Sequence, residues 1–212
     1  MNSRTPPSQG GAEGTPLPAR RARIERATSE TDIMLALDLD GSGRADIATG
    51  IGFLDHMLTL FAHHGRFDLT VRAGGDLHVD GHHTVEDIGL SLGQALREAL
   101  GDKRGIRRYG SFLLPMDEAL AQVALDLSGR PYFAHDLRLS GVRIGEFDAG
   151  LTPHFFRSLA TESGMTLHVS LLAGSDAHHI VEAVFKAFAR ALADACDRHG
   201  LDDEVPSTKG ML

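Results

Sequence analysis

The sequence predicts an α+β fold, an α/β sandwich of two tandem strand-strand-helix-strand-helix units with the helices packed on one face of the sheet. Three observations predict it. The cluster His82-His83-Thr84-Val85-Glu86 returns as His178-His179-Ile180-Val181-Glu182. The alternating run Leu35-Ala36-Leu37-Asp38-Leu39, entering the glycine turn Gly41-Ser42-Gly43-Arg44, returns as Val123-Ala124-Leu125-Asp126-Leu127 before Ser128-Gly129-Arg130. Between them Phe53-Leu54-Asp55-His56-Met57-Leu58 lies over Leu151-Thr152-Pro153-His154-Phe155-Phe156, and the register runs on to Leu69-Thr70-Val71 over Leu167-His168-Val169. A two-residue gap then brings the His-His clusters into line, and weak identity with a consistent pattern marks an internal duplication.

Residues 1–19 are rich in Pro, Gly and Ser and poor in large apolar side chains, which predicts a disordered leader. A first repeat over 20–110 and a second over 111–201 follow, and 202–212 form a tail without periodicity. Within each repeat, alternation ahead of a glycine turn reads as a strand. Thr152 is placed to cap the next helix of the second copy, with Pro153 at its first position, where a missing N–H costs nothing. Val85, Ile88, Leu92, Ala95, Leu96 and Ala99 recur at helical spacing, as do Val181, Val184, Phe185, Phe188, Leu192 and Ala195. Each of these amphipathic helices begins at a His-Glu cluster, and helices segregated to one face of a sheet follow from the order.

At 212 residues, 42% hydrophobic and 24% charged, the chain can bury a core as an ordinary globular protein. A net charge of −8 argues against nucleic-acid binding, which needs clustered Lys and Arg; the only early basic run is Arg20-Arg21-Ala22-Arg23. No apolar stretch is long enough for a membrane span or a signal peptide. The single cysteine, Cys196, allows no intrachain disulfide, and a cytoplasmic enzyme is expected.

Helix residues four apart share a face and neighbours diverge by about 100°. His82 therefore sides with Glu86 and His178 with Glu182, while His83 and His179 look elsewhere and can serve different ions. The repeat adds His56 and its counterpart His154. The resulting set, His56, His82, His83, Glu86, His154, His178, His179 and Glu182, divides into two sites of three nitrogens and one oxygen. That mixture suits Mn, Fe, Co, Ni or Zn and leaves positions open for substrate. His78, His135 and His199 have no doubled partner and read as surface or structural residues. His168 reads as a hydrogen-bonded core residue or a support for a ligand. A dinuclear metallohydrolase would favour aspartate-rich ligands, and a storage cage would favour carboxylates with no need of nearby Arg and Lys.

Thr49-Gly50-Ile51-Gly52-Phe53-Leu54-Asp55-His56, the two His-His clusters, Pro115-Met116-Asp117-Glu118-Ala119-Leu120, Asp126-Leu127-Ser128-Gly129-Arg130-Pro131 and Pro206-Ser207-Thr208-Lys209-Gly210 together resemble the imidazoleglycerol-phosphate dehydratase family, from about Arg23 to the C-terminus. The resemblance implies a lyase of histidine biosynthesis that converts imidazole glycerol phosphate to imidazole acetol phosphate and water. It also implies two Mn2+ ions per active site and a homo-oligomeric 24-subunit shell with interfacial sites. No carbonyl acidifies the proton to be removed, so the imidazole ring must take up electrons. Two cations on its nitrogens would favour an imidazolate able to expel the hydroxyl through a diazafulvene-like intermediate.

The same resemblance implies roles for single residues. Glu30, in Ser29-Glu30-Thr31 and opposite Glu118 in the repeat, matches a substrate-contacting glutamate and is the preferred acid/base, with Asp117 as second candidate. Arg108, Arg130, Lys186, Ser207 and Lys209 match substrate contacts that suit a phosphate. His64 matches another, although helix geometry measured from His56 favours His63. The departures are the long leader and the proline before His154.

Overall fold

The computed structural model describes residues 19–198, 204–210 and 212. The expected leader, apart from its last residue, and His199 lie outside the described residues.

The first half runs β1 (Arg21–Ala27), β2 (Thr31–Asp38), β3 (Ala45–Ala48), α1 (Gly52–Gly65), β4 (Asp68–Gly75) and α2 (His82–Leu100). The second runs β5 (Tyr109–Met116), β6 (Ala119–Asp126), β7 (Tyr132–His135), the small hairpin β8 (Arg143–Ile144) and β9 (Phe147–Asp148), α3 (Leu151–Ser163), β10 (Thr166–Ala173) and α4 (Ala177–Cys196). The fold is α+β, with two four-stranded sheets ordered β1-β2-β4-β3 and β5-β6-β10-β7. Leu35 pairs with Val71 in one sheet and Val123 with Val169 in the other, so the register carries the duplication residue by residue.

Each four-stranded sheet carries one strand more than the expected unit, and the second half adds the β8–β9 hairpin. β3 and β7 are four residues long, largely exposed, and pair in parallel with β4 and β10. Edge strands this short show too little alternation to stand out in a sequence. A second correction concerns α3. Its N-cap is Gly150, whose N–H meets Asp148 Oδ1 at 2.9 Å, while the Thr152 hydroxyl is buried with no hydrogen-bond partner among the described residues. Pro153 still falls in the first turn, where no intrahelical N–H bond is lost.

The predicted helix stripes are buried, from Val85 to Ala99 in α2 and from Val181 to Ala195 in α4. They join one apolar core with Leu35, Val71, Val123 and Val169. α2 and α4 lie on their own sheets and also meet the opposite half, α2 against α3 and α4 against α1. The first contact is backbone-close. A Cβ on Gly89 would stand 2.7 Å from the Phe155 carbonyl oxygen, and one on Gly93 2.6 Å from that of Leu159. The second is aromatic, with the Phe61 and Phe188 rings stacked, centroids 5.7 Å apart.

Candidate metal centre

Both His-His clusters occupy the first turn of a helix, so the four-residue geometry holds. Asp176 caps α4, its Oδ1 accepting the N–H groups of His178 at 2.8 Å and His179 at 3.4 Å. Ahead of α2, whose cap is Gly81, Asp80 Oδ1 accepts the His82 N–H at 2.7 Å. On α4, His178 Nε2 lies 3.2 Å from Glu182 Oε2, and Phe53 meets the His178 ring edge-on. His56, from α1, reaches the same oxygen at 3.3 Å. His56, His178 and Glu182 thus offer two imidazole nitrogens and a carboxylate oxygen within 4.8 Å of one another.

The pseudo-equivalent corner gathers the pseudo-equivalent residues. His82 Nε2 lies 3.7 Å from Glu86 Oε2, and its ring is 4.9 Å from that of His154, on α3. Each corner therefore takes one helix start from each half.

Glu182 is only 6% exposed. Burial pushes its carboxyl up, but the Lys186 ammonium at 2.6 Å and the His56 ring outweigh burial and hold it below the usual range. A buried, ionised carboxylate beside two imidazoles is a donor set suited to a divalent ion.

His83 and His179 turn away from these corners, as the helix geometry predicts. His83 Nδ1 is 2.9 Å from Asp76 Oδ2 and 3.8 Å from Glu30. His179 Nδ1 is 2.7 Å from Glu118 Oε2, with Nε2 3.6 Å from Asp117. The hydrogen bonds these rings donate to Asp76 and Glu118 raise their basicity. A carboxylate on Nδ1 leaves Nε2 as the nitrogen for a ligand. Glu118 is held down to about 2 by the N–H groups of Asp176 and Ser175 together with His179.

A family profile described as imidazoleglycerol-phosphate dehydratase matches residues 49–192. The chain belongs to that family. The imidazoleglycerol-phosphate dehydratase of Acetivibrio thermocellus is 56% identical over 193 residues, which cover 91% of this chain and 99% of the relative. That of Cereibacter sphaeroides strain KD131 is 57% identical over 194 residues, 91% and 100% of the two chains. Among solved structures, the Staphylococcus aureus dehydratase superposes with TM-score 0.77 at 40% identity, covering 84% of this chain and 99% of its own. The Pyrococcus furiosus enzyme, solved in complex with (S)-C348, gives TM-score 0.77 at 39% identity, covering 89% and 100%.

The other residues singled out by family resemblance fall into two groups. His64 is half-buried and faces Lys186, Arg190 and Glu182, while His63 is exposed, so the motif and not the helical count picks the inward ring. Burial and the Lys186 charge lower the basicity of His64. Far from these, Arg108 grips Asp126 through Nε at 2.7 Å and Nη2 at 3.1 Å, and Nη1 donates to the Pro206 carbonyl at 2.9 Å. Arg130 approaches the same aspartate at 3.9 Å. Ser207 and Lys209 share a turn in which the Ser207 hydroxyl accepts the Lys209 N–H at 3.2 Å.

His168 is a correction, for it is exposed on the outer face of β10, its ring tilted against that of Tyr132. His78 and His135 are exposed. Asp76 and Glu118, the carboxylates that orient His83 and His179, were not singled out as site residues from the sequence. For Glu118 a signal existed, since the repeat sets it opposite Glu30.

Proposed function

We propose that this dehydratase of histidine biosynthesis removes water from imidazole glycerol phosphate at a two-metal centre, with manganese as the resident ion, completed between copies of the chain in the cytoplasm. The observation that carries the reading is the convergence of His56, His178 and Glu182, drawn from both halves.

His56, His178 and Glu182 would hold one ion, and His82, Glu86 and His154 the other. His83 and His179 face away from both corners of their own chain. Each would supply the fourth ligand to a corner on a neighbouring copy, giving three nitrogens and one oxygen per ion. Bound divalent ions supply positive charge beside the substrate ring, which can then accept the electrons left when a carbon-bound proton is removed.

The phosphate contacts support assembly independently. Arg108 is tied by its N–H to the Ala195 carbonyl at the far end of α4. From Glu182 to Ala195 is roughly 20 Å at 1.5 Å per helical residue. A small phosphate ester cannot span that distance, so the metal corner of one chain and the group of Arg108, Arg130, Ser207 and Lys209 serving it would come from different copies. A 24-subunit shell, as the family resemblance implies, would provide such contacts.

Glu30 would take the proton. Its carboxylate makes no hydrogen bond among the described residues and stands 3.8 Å from His83 Nδ1. It is thus free to exchange a proton with substrate. The proton taken by Glu30 would go on to the departing hydroxide to give water, and Asp117, three-quarters exposed beside His179, is the second candidate for this acid/base role. Lys186 and His64 line the route along α1 and α4 toward Glu182.

The test offers the purified full chain, loaded with manganese, imidazole glycerol phosphate and a generic phosphomonoester. Formation of the keto product without phosphate release is expected. Phosphate release would favour a hydrolase, and inertness toward both would overturn the reading. Light scattering of the same sample should give the mass of a large assembly.

A further inference from the structure

The two halves differ chemically where α2 and α4 meet the first hairpin of each sheet. Arg26, Thr28, Thr31 and Asp87 occupy the places that Leu114, Met116, Ala119 and Ala183 take in the second half. The register shows it: Arg26 pairs with Ile33 as Leu114 pairs with Ala121, and Asp87 follows Glu86 as Ala183 follows Glu182. Thr31 and Asp87 are 4% and 8% exposed, and Ala119 and Ala183 are equally buried. The second half thus packs the same junction with apolar side chains alone. Replacing a buried ion pair by apolar residues is commonly neutral or stabilising. Packing therefore does not explain the polar set.

Its hydrogen bonds run one way. Asp87 Oδ1 accepts from Arg26 Nε at 3.0 Å and Nη2 at 2.9 Å, and Oδ2 accepts the Thr31 hydroxyl at 2.5 Å. An ionised carboxylate only accepts, so Thr31 directs its proton there and can only accept from the Thr28 hydroxyl, 3.2 Å away. Thr28 Oγ1 in turn accepts the N–H groups of Glu30 at 3.1 Å and Thr31 at 3.0 Å. The Glu30 carbonyl accepts the Asp76 N–H at 3.1 Å, and Asp76 holds His83. The chain of bonds begins at Asp87 and ends on the backbone of Glu30.

The counterpart of Glu30 shows why only one half needs this. Glu118 is clamped through its own carboxylate by two backbone N–H groups and His179. A carboxylate that exchanges protons with substrate cannot be clamped so, and the backbone beneath it must be held instead. We propose that Asp87, acting through Thr31 and Thr28, is a positioning residue that holds the β1–β2 turn so that Glu30 meets the substrate. This rests on the dehydratase reading with Glu30 as proton acceptor.

The test transplants the second half's solution into the first. The triple variant Arg26→Leu, Thr31→Ala, Asp87→Ala should keep its Tm and manganese content near those of the parent. Its kcat should fall at least about tenfold while KM stays within about threefold, because misplacement of a reacting group affects the chemical step. Thr28→Val, on an exposed turn, removes the hydroxyl that accepts the Glu30 and Thr31 N–H groups and should lower kcat about fivefold at constant KM. A triple variant with parental kcat overturns the proposal; should that variant lose its fold, a Thr28→Val enzyme with parental kcat does so. A parent enzyme inert toward imidazole glycerol phosphate overturns the dehydratase reading itself, whereas an active parent with equally active variants overturns the positioning role alone.

Discussion

His56 Nε2 lies 3.3 Å from Glu182 Oε2 although the two belong to opposite halves of the chain. The contact joins the starts of α1 and α4, and its counterpart brings His154 of α3 to His82 of α2.

Glu182→Gln keeps the shape of the side chain and removes its charge. The variant should lose more than about 100-fold in manganese affinity and essentially all turnover, because a neutral amide is a poor ligand for a hard divalent ion. Glu86→Gln should behave alike. Metal analysis after dialysis, with kinetics at saturating manganese, checks both, and full activity in either variant would remove the paired-site reading.

Glu118→Gln tests the support of a ligand. With the amide oxygen accepting from Ser175 and Asp176, the new NH2 would face His179 Nδ1 and drive the ring proton to Nε2. Manganese affinity should fall about 10- to 100-fold with the fold intact, a range typical of groups that orient metal ligands. Titration calorimetry reads it directly.

Lys209→Ala should raise KM about tenfold and leave kcat little changed, the signature of a charged contact made equally in ground and transition states. A fall in kcat with constant KM would place Lys209 in the chemistry and not in phosphate binding.

Arg20 is nearly buried and bonds Asp40, and that hydrogen bond holds the Asp40 carboxyl below its ordinary value of 3.8. A lowered carboxylate contributes stability above its unfolded value, and that contribution disappears as pH falls through the folded one. Asp40→Asn should therefore cost about 1 kcal/mol at pH 7, a figure kept small because the Asp40 side chain is 47% exposed. The gap between variant and parent should close below about pH 4 in urea titrations. A gap independent of pH would show that the ion pair contributes nothing.

Gly110→Ala probes the seat of α4 on β5. A Cβ there would stand within bonding distance, 1.8 Å, of the Ala191 carbonyl oxygen, which is backbone and cannot swing aside. The variant should lose about 2–3 kcal/mol, or roughly 5–10 °C in Tm. Calorimetry checks it, and an unshifted Tm would contradict the close approach.

Much of the architecture was legible because the duplication prints it twice. Val85 and Val181 announce the same buried stripe, and His82 with Glu86 needs only helical geometry to share a face. β3 and β7 were not legible, since four residues on a sheet edge, none of them buried, leave no periodic trace. The cap at Gly150 was missed because Thr152 is a good capping residue by type, while Asp148 decides by position. Glu118 reaches His179 across 61 residues, and Asp76 reaches His83 from the loop before α2, so only the folded chain shows which imidazole each one turns.

Because either corner borrows its third side chain from the opposite half, neither half could grip a cation by itself. An ancestral single unit would have had to associate with a twin, offering its lone histidine in exchange for the twin's, before any ion could be retained. Fusion of two such units would make that exchange permanent and leave each copy to diverge, one toward a glutamate clamped through its carboxylate and the other toward one held through its backbone.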